Sequence, residues 1–500
     1  MADAVVIGAG FGGLALAIRL QSAGHQVTLV EARDRPGGRA YVYQQDGFTF
    51  DAGPTVITDP SCLEELFALS GRKLSDYVEL LPITPFYRLL WDDGTSFDYV
   101  NDQPELDRQI AAMNPDDVDG YRRFLDYSTS VFEEGYLKLG HVPFMTVGSM
   151  MRAAPQLVGL QAWRSVYSMV STFVKDEHLR QALSFHTLLV GGNPFSASSI
   201  YALIHALERK WGVWFPRGGT GALVDGMVRL FKDLGGVLRT SSPAEQILVE
   251  NDRAVGVRLA GGEVLRADLV ASNGDVVHTY DRLLSESGRG KKAAAGLKKR
   301  RFSMSLFVVY FGLRAPAPAD MKHHTILFGP EYKALVDSIC GAKPLREDFS
   351  LYLHAPSVTD PSLAPEGCSG YYVLSPVPNL SQDIDWVVEG PKYADRILEA
   401  LERRAIPGLR ENLVTMRTFT PADFKTELGA HLGSAFSLEP ILTQSAYFRV
   451  HNRDDVLGNV YFVGAGTHPG AGVPGVVGSA KATASVIAED FPSAVPAQAA

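Results

Sequence analysis

Ala4-Val5-Val6-Ile7-Gly8-Ala9-Gly10-Phe11-Gly12-Gly13 sets a short apolar run directly ahead of a Gly-x-Gly-x-x-Gly spacing at positions 8, 10 and 13. The apolar run predicts a buried strand, and Leu14, Leu16, Ile18 and Leu20 predict the helix that follows, stopping at Gly24. In such a unit the first glycine permits a tight turn, the second lets backbone approach a pyrophosphate, and the third lets helix and strand pack closely. The helix N-terminus adds unpaired N–H groups and the positive end of a dipole. A second strand over 27–30 ends at Glu31, 18 residues beyond Gly13. A carboxylate there accepts ribose hydroxyls and repels a 2′-phosphate, so NADP is disfavoured.

The residues after Glu31 argue for FAD. Arg33-Asp34-Arg35-Pro36-Gly37-Gly38-Arg39 supplies two glycines and a cation for the second phosphate of an extended cofactor, and Asp51-Ala52-Gly53-Pro54-Thr55 follows. Some 450 residues beyond the opening glycine motif, Gly464-Ala465-Gly466-Thr467-His468-Pro469-Gly470-Ala471-Gly472 repeats the strand-to-glycine pattern, with Pro474 suited to a helix's first turn. Both ends of the chain are thus expected to hold one flavin nucleotide, the last helix aiming its positive end at the flavin pyrimidine. The expected FAD contacts are Gly8, Gly10, Gly12, Gly13, Glu31, Ala32, Gly38, Arg39, Gly53, Pro54, Thr55, Ala244, Gly464, Gly466, Gly472 and Val473.

Bulk properties narrow the class. Five hundred residues predict about three domain-sized units. The 47 basic and 56 acidic residues give a net charge of −9, which argues against nucleic acid as a partner. Cys62, Cys340 and Cys368 form no C-x-x-C, a reduced, cytosolic pattern. No signal peptide is expected, because the first strand starts at Ala4. The densest apolar stretch, 306–313, falls far short of the roughly 20 residues of a membrane span. His323-His324 has no acid or cysteine at metal spacing and reads as an exposed pair, so no metal is expected.

The pattern along the chain predicts a helix over 61–69, a hairpin of 86–90 and 96–99 around Asp92-Asp93-Gly94-Thr95, and mostly helix from 103 to about 208. A helix over 222–234 and a hairpin of 255–259 with 264–270 come next. Segments 1–80, 210–290 and 455–491 are expected to build a discontinuous FAD-binding domain. Segments 81–102 and 291–454 should form a substrate domain, 103–209 a helical, membrane-associating subdomain, and 492–500 a flexible tail.

The closing stretch from Asn459 through Val473, with Gly478, resembles the end of bacterial-type carotenoid desaturases. So do Glu134-Gly135-Tyr136-Leu137-Lys138-Leu139-Gly140, Leu188-Leu189-Val190-Gly191-Gly192-Asn193-Pro194-Phe195, Trp211-Gly212-Val213-Trp214-Phe215-Pro216-Arg217-Gly218-Gly219, Phe349-Ser350-Leu351-Tyr352-Leu353-His354 and Tyr447-Phe448-Arg449-Val450-His451-Asn452-Arg453. The resemblance spans nearly the whole chain and is nearest to the phytoene desaturases. It implies an α/β fold: a discontinuous Rossmann-like FAD domain of the amine-oxidase and glutathione-reductase type, a mixed-sheet substrate domain and a helical, membrane-facing subdomain. It also implies FAD-dependent dehydrogenation of phytoene, in up to four steps, toward lycopene. A hydride passes to flavin N5 and a proton is lost to a carboxylate, a water or the flavin. The nearest rival activity is desaturation or saturation of another carotenoid or retinoid. Amine oxidation and non-catalytic escort of isoprenoid lipids are rivals on the same fold.

Phytoene offers no hydrogen-bonding anchor, so positioning falls to an apolar tunnel. About 40 carbons at up to ~0.8 kcal/mol each give on the order of 30 kcal/mol for leaving hydrocarbon for water. The expected partners are therefore phytoene and carotenoid intermediates drawn from a bilayer, with peripheral attachment at the cytoplasmic face and oxygen or a quinone as terminal acceptor. The expected docking surface is 142–163, where Phe144, Met145, Met150, Met151, Leu157, Leu160 and Trp163 accompany Arg152 and Arg164. The basic run 289–301 is a second candidate. For catalysis, His468 lies inside the closing motif, Glu439 is an acid in an apolar stretch, and Arg152 falls where the tunnel mouth is expected.

Overall fold

A computed structural model describes residues 1–341 and 345–492. The expected flexible tail lies outside the described residues from 493 onward. Five parallel strands form one sheet in the order Val460–Phe462, Leu269–Ser272, Asp3–Ile7, Gln26–Val30 and Val237–Arg239. Sequence-distant strands are neighbours here, because the opening strand sits at the centre with residue 269 onward on one side and residue 26 onward on the other. Its side chains alternate as the strand repeat requires. Ala4 and Val6 enter a core with the helices Phe11–Ser22, Thr220–Asp233 and Val473–Asp490. Val5 and Ile7 enter a second core with Ile247, Val257 and Tyr280.

The strand over 264–270 differs from its expectation. Val264–Arg266 completes an antiparallel meander with Ala244–Glu250 and Arg253–Leu259, whereas Leu269–Ser272 leaves it and pairs in parallel with the opening strand. Asp268 makes the switch, since its carboxylate accepts from the Asp3 N–H (2.9 Å) and its own N–H donates to the Asp3 carbonyl (2.8 Å).

A seven-stranded mixed sheet runs in the order Leu413–Phe419, Ser305–Leu313, Ser369–Val377, Leu351–His354, His324–Leu327, Tyr87–Leu90 and Ser96–Tyr99. Its pairs are antiparallel except His324–Leu327 with Tyr87–Leu90. Ser305–Leu313 is buried throughout. Phe307, Val309 and Phe311 pack under the helix Trp386–Arg404 on one face, and Leu306, Val308 and Tyr310 turn to the other. That second face becomes a wall of the site.

The helices Gln103–Met113, Asp117–Phe132, Val147–Gly159 and Leu203–Trp211 lie in the helical stretch, and a π turn, Glu133–Lys138, extends the second. His323 and His324 are buried rather than exposed, because the strand after His323 sits between two others inside the seven-stranded sheet. Among the described residues no helix is long and apolar enough to cross a membrane.

Candidate active site

A cavity of about 760 Å³ runs from the nucleotide sheet to the inner face of the seven-stranded sheet. At one end it is lined by Gly8, Gly10, Gly12, Glu31, Ala32, Gly38, Arg39 and Ala244. Gly53, Pro54, Thr55, Gly472, Val473 and His468 line its middle, and Leu306, Val308, Tyr310, Phe328, Tyr352 and Tyr372 line its far wall. Three of the expected contacts, Gly13, Gly464 and Gly466, are not part of the cavity lining. Gly13 is the packing glycine, since a Cβ there would lie 1.9 Å from the Gly8 carbonyl oxygen. Gly464 abuts Asn273, and Gly466 abuts Val276.

The lining has the donors a dinucleotide needs. The helices Phe11–Ser22 and Val473–Asp490 both begin at a glycine with no side-chain cap, leaving N-terminal N–H groups for an anion. Arg39 is half-buried, its buried Nε has no partner, and its Nη2 makes only a long contact to the Ser434 carbonyl (3.4 Å). Burial pushes this guanidinium down from its usual range, against the pull of Asp275. A half-buried cation without a carboxylate partner at a glycine-lined wall fits a diphosphate. The Glu31 carboxylate is positioned by the Ala9 N–H (2.7 Å) and the Arg33 N–H (3.0 Å), with remaining lone pairs for ribose hydroxyls.

Asn273 is a residue the sequence reading missed. It follows the strand Leu269–Ser272, donates from Nδ2 to the Gly8 carbonyl (3.4 Å), and lines the cavity. Only the pairing of that strand beside the opening strand brings it to the glycines. Thr55 shares its hydroxyl with those of Tyr352 (3.0 Å) and Tyr372 (2.6 Å), tying the nucleotide side to the far wall.

The three catalytic candidates have different surroundings. Arg152 is exposed and away from the cavity wall. Glu439 is buried but turns to Arg301 (2.8 Å) and Ser196 (3.4 Å), away from the lining. His468 lines the cavity, packs edge-to-face on Phe144, and donates from Nε2 to the Leu139 carbonyl (2.8 Å). A carbonyl only accepts, so Nδ1 carries the lone pair. Of the acids on the lining (Glu31, Glu208, Asp275 and Glu427), Glu208 is fully buried, with the Tyr87 hydroxyl donating to Oε1 (2.7 Å) and His186 Nε2 at 3.1 Å from Oε2.

Burial lowers the His468 pKa to about 4. Above pH 6.5 the ring is neutral in folded and unfolded chains alike. Between pH 6.5 and 4 only the unfolded chain takes up the proton, so folding stability falls as pH falls, by about 3 kcal/mol across that window. His468→Asn lacks this component. The expected result is a shallower loss of denaturant stability than in the parent between pH 6.5 and 4, and parallel curves would refute it.

The family model for flavin-containing amine oxidoreductases matches residues 11–488. The chain is 63% identical over 492 residues to the phytoene desaturase (lycopene-forming) of Pseudescherichia vulneris, covering 98% of this chain and 100% of that protein. It is 44% identical to the phytoene desaturase (neurosporene-forming) of Rhodobacter capsulatus, covering 97% and 94%. The solved structure of cyclohexylamine oxidase from Brevibacterium oxydans IH-35A superposes with a TM-score of 0.63 at 18% identity, covering 98% and 99%, which shows the shared fold. The chain belongs to the flavin-containing amine oxidoreductases, and within them to the bacterial-type phytoene desaturases. It is an FAD-dependent oxidoreductase.

Proposed function

We propose that the protein dehydrogenates phytoene in successive steps to lycopene. The continuity of one cavity from a diphosphate-binding end to an apolar far end carries this reading, alongside the near full-length match to lycopene-forming enzymes. Bound FAD supplies the hydride acceptor. Arg39, the two uncapped helix N-termini and Glu31 hold it. Leu306, Val308, Phe328, Leu188 and Leu189 align a polyene by shape alone and keep water out. Glu208, the fully buried carboxylate on the lining, accepts the proton, with Tyr87 and His186 fixing its two oxygens. Purified protein incubated with FAD and phytoene in liposomes is expected to yield lycopene, detected by chromatography. A flavin-loaded preparation that leaves phytoene colourless would sink the proposal. Reoxidation falls to oxygen or a membrane quinone, and anaerobic turnover with and without added quinone separates them.

The reading includes docking on the bilayer. Helix Val147–Gly159 turns Met150 and Leu157 to the cavity and Met151 and Val158 to solvent, at 66% and 60% exposure. Trp163 is 61% exposed, and exposed Phe448 belongs to the turn Ala446–Phe448 packed beside this helix. Arg300 reaches the Phe448 carbonyl, and Lys291, Lys292 and Lys299 are exposed on the segment before it. Apolar side chains with a basic rim at a tunnel mouth suit an anionic membrane surface. Each large apolar side chain buried contributes about 1.5–3 kcal/mol. Met151→Glu with Trp163→Glu is therefore expected to weaken co-sedimentation with anionic vesicles more than tenfold while FAD content stays unchanged. Unaltered co-sedimentation would place the docking surface elsewhere.

A further inference from the structure

Behind the tyrosines of the far wall lies a cluster that the proposed chemistry does not use. His323, His324 and His354 are buried, with exposures of 4%, 0% and 0%. Among the described residues they form the one group of three whose ligand atoms all lie within 4.8 Å of one another. Strand register brings them together, since His324 stands opposite His354 across an antiparallel pair and His323 immediately precedes the first of those strands.

Hydrogen bonds orient the rings. His324 Nδ1 lies 3.0 Å from the Phe86 carbonyl, so Nδ1 carries the proton and Nε2 presents a lone pair. That Nε2 has no partner. His323 Nδ1 meets the Thr359 hydroxyl at 2.6 Å, and its Nε2 faces His354 Nε2 at 3.0 Å. His354 Nδ1 is also without a partner. Burial holds all three rings below the ordinary histidine range, which leaves them neutral at pH 7.

A network of histidines alone leaves the buried lone pair of His324 Nε2 unused, whereas an ion takes it up. Two imidazole nitrogens bound to one tetrahedral ion, each about 2.0–2.1 Å from it, stand about 3.3 Å apart. The facing Nε2 atoms already approach that spacing. Fixing the far nitrogen by a carbonyl or hydroxyl is how proteins orient metal-binding imidazoles. We infer that His323, His324 and His354 hold one transition-metal ion of the zinc class through three imidazole nitrogens. Neutral nitrogen donors select zinc, copper or nickel over magnesium or calcium, which prefer oxygen. With His323 Nδ1–H donating to the Thr359 hydroxyl, the proton between the two facing nitrogens belongs to His354 Nε2; on binding it moves to the free Nδ1 of the same ring, so no proton is released. The Tyr352 and Tyr372 rings pack on His324 and His354, at centroid distances of 5.6 and 4.7 Å, and both line the cavity. The ion is therefore a clamp behind the wall and takes no part in the chemistry.

The test uses full-length, FAD-loaded protein expressed in zinc-supplemented medium and dialysed free of loose metal. Mass spectrometry of the digested protein is expected to find close to one ion per chain. Zinc-edge X-ray absorption is expected to show three imidazole nitrogens at about 2.0–2.1 Å. His354→Phe and His324→Gln are each expected to cut the metal content to background while FAD per chain is kept. Background metal in the parent protein, after supplementation with zinc, copper and cobalt in turn, overturns the inference. So does a metal content unmoved by both substitutions. If a variant fails to fold, the parent's absorption spectrum decides alone, and a sulfur or oxygen shell without imidazole also overturns it.

Discussion

Gly13→Val is expected to give a protein that no longer retains FAD. The position lies away from the cofactor cavity, so the effect is not a lost contact. A Cβ at residue 13 would sit 1.9 Å from the Gly8 carbonyl oxygen and 3.1 Å from the Asn273 side chain. The atom in the way is backbone, which cannot rotate aside. The helix Phe11–Ser22 must then lift from the strand Asp3–Ile7, and its N-terminal N–H groups move off the line of the diphosphate. Phosphate recognition through oriented N–H groups is lost with small displacements. Overpacking typically costs about 1–3 kcal/mol, so the chain is expected to stay folded while losing its yellow colour and activity together. Gly296→Ala is the control, since a Cβ there meets nothing within 4 Å. Flavin absorbance per chain after gel filtration reads the result. Full flavin content in the valine variant would remove the packing role assigned to Gly13.

Glu208→Gln is expected to lower turnover by about 10²- to 10⁴-fold, the span over which a positioned base acts, with FAD content unchanged. Glutamine keeps the shape and an acceptor for the Tyr87 hydroxyl but cannot take a proton. Glu208→Ala is expected to do more, because it leaves the Tyr87 hydroxyl and His186 Nε2 without their partner in a buried site. Each unsatisfied group costs about 1–3 kcal/mol. The glutamine variant thus separates proton transfer from stability, and the alanine variant adds a drop in melting temperature. Glu439→Gln, which loosens only the pair with Arg301, is expected to keep turnover near that of the parent. Undiminished lycopene formation by Glu208→Gln would move the proton-accepting role to water or to another group.

What could be read from the sequence was what lies close in sequence. Gly8, Gly10 and Glu31 belong to one strand–turn–helix–strand unit, whose spacing is itself the signal. Residues assembled by pairing across the chain gave no such signal. Asn273 reaches Gly8 only because Leu269–Ser272 pairs with Asp3–Ile7, and the valines and leucines on both sides of Asp268 concealed the break there that permits it. Glu208 sits in Leu-Glu-Arg-Lys at the end of a helix, a composition that reads as a solvated surface. Only burial of the helix against Tyr87 and His186 gives the carboxylate its place. The histidines misled for the same reason: 323 and 324 lack their third member until the strand ending at 354 lies beside them.

The five-stranded parallel sheet is finished only by Val460–Phe462, and the cavity wall only by the helix that follows. A ribosome adding about 5–20 residues per second delivers that strand roughly 20–90 s after the first glycine turn has emerged. Flavin loading must therefore wait until the strand Val460–Phe462 and the helix after it have emerged, and a nascent chain stalled before residue 460 holds half a nucleotide cradle with its apolar helix face uncovered. Ribosome-bound chains of increasing length should acquire flavin fluorescence in one late step.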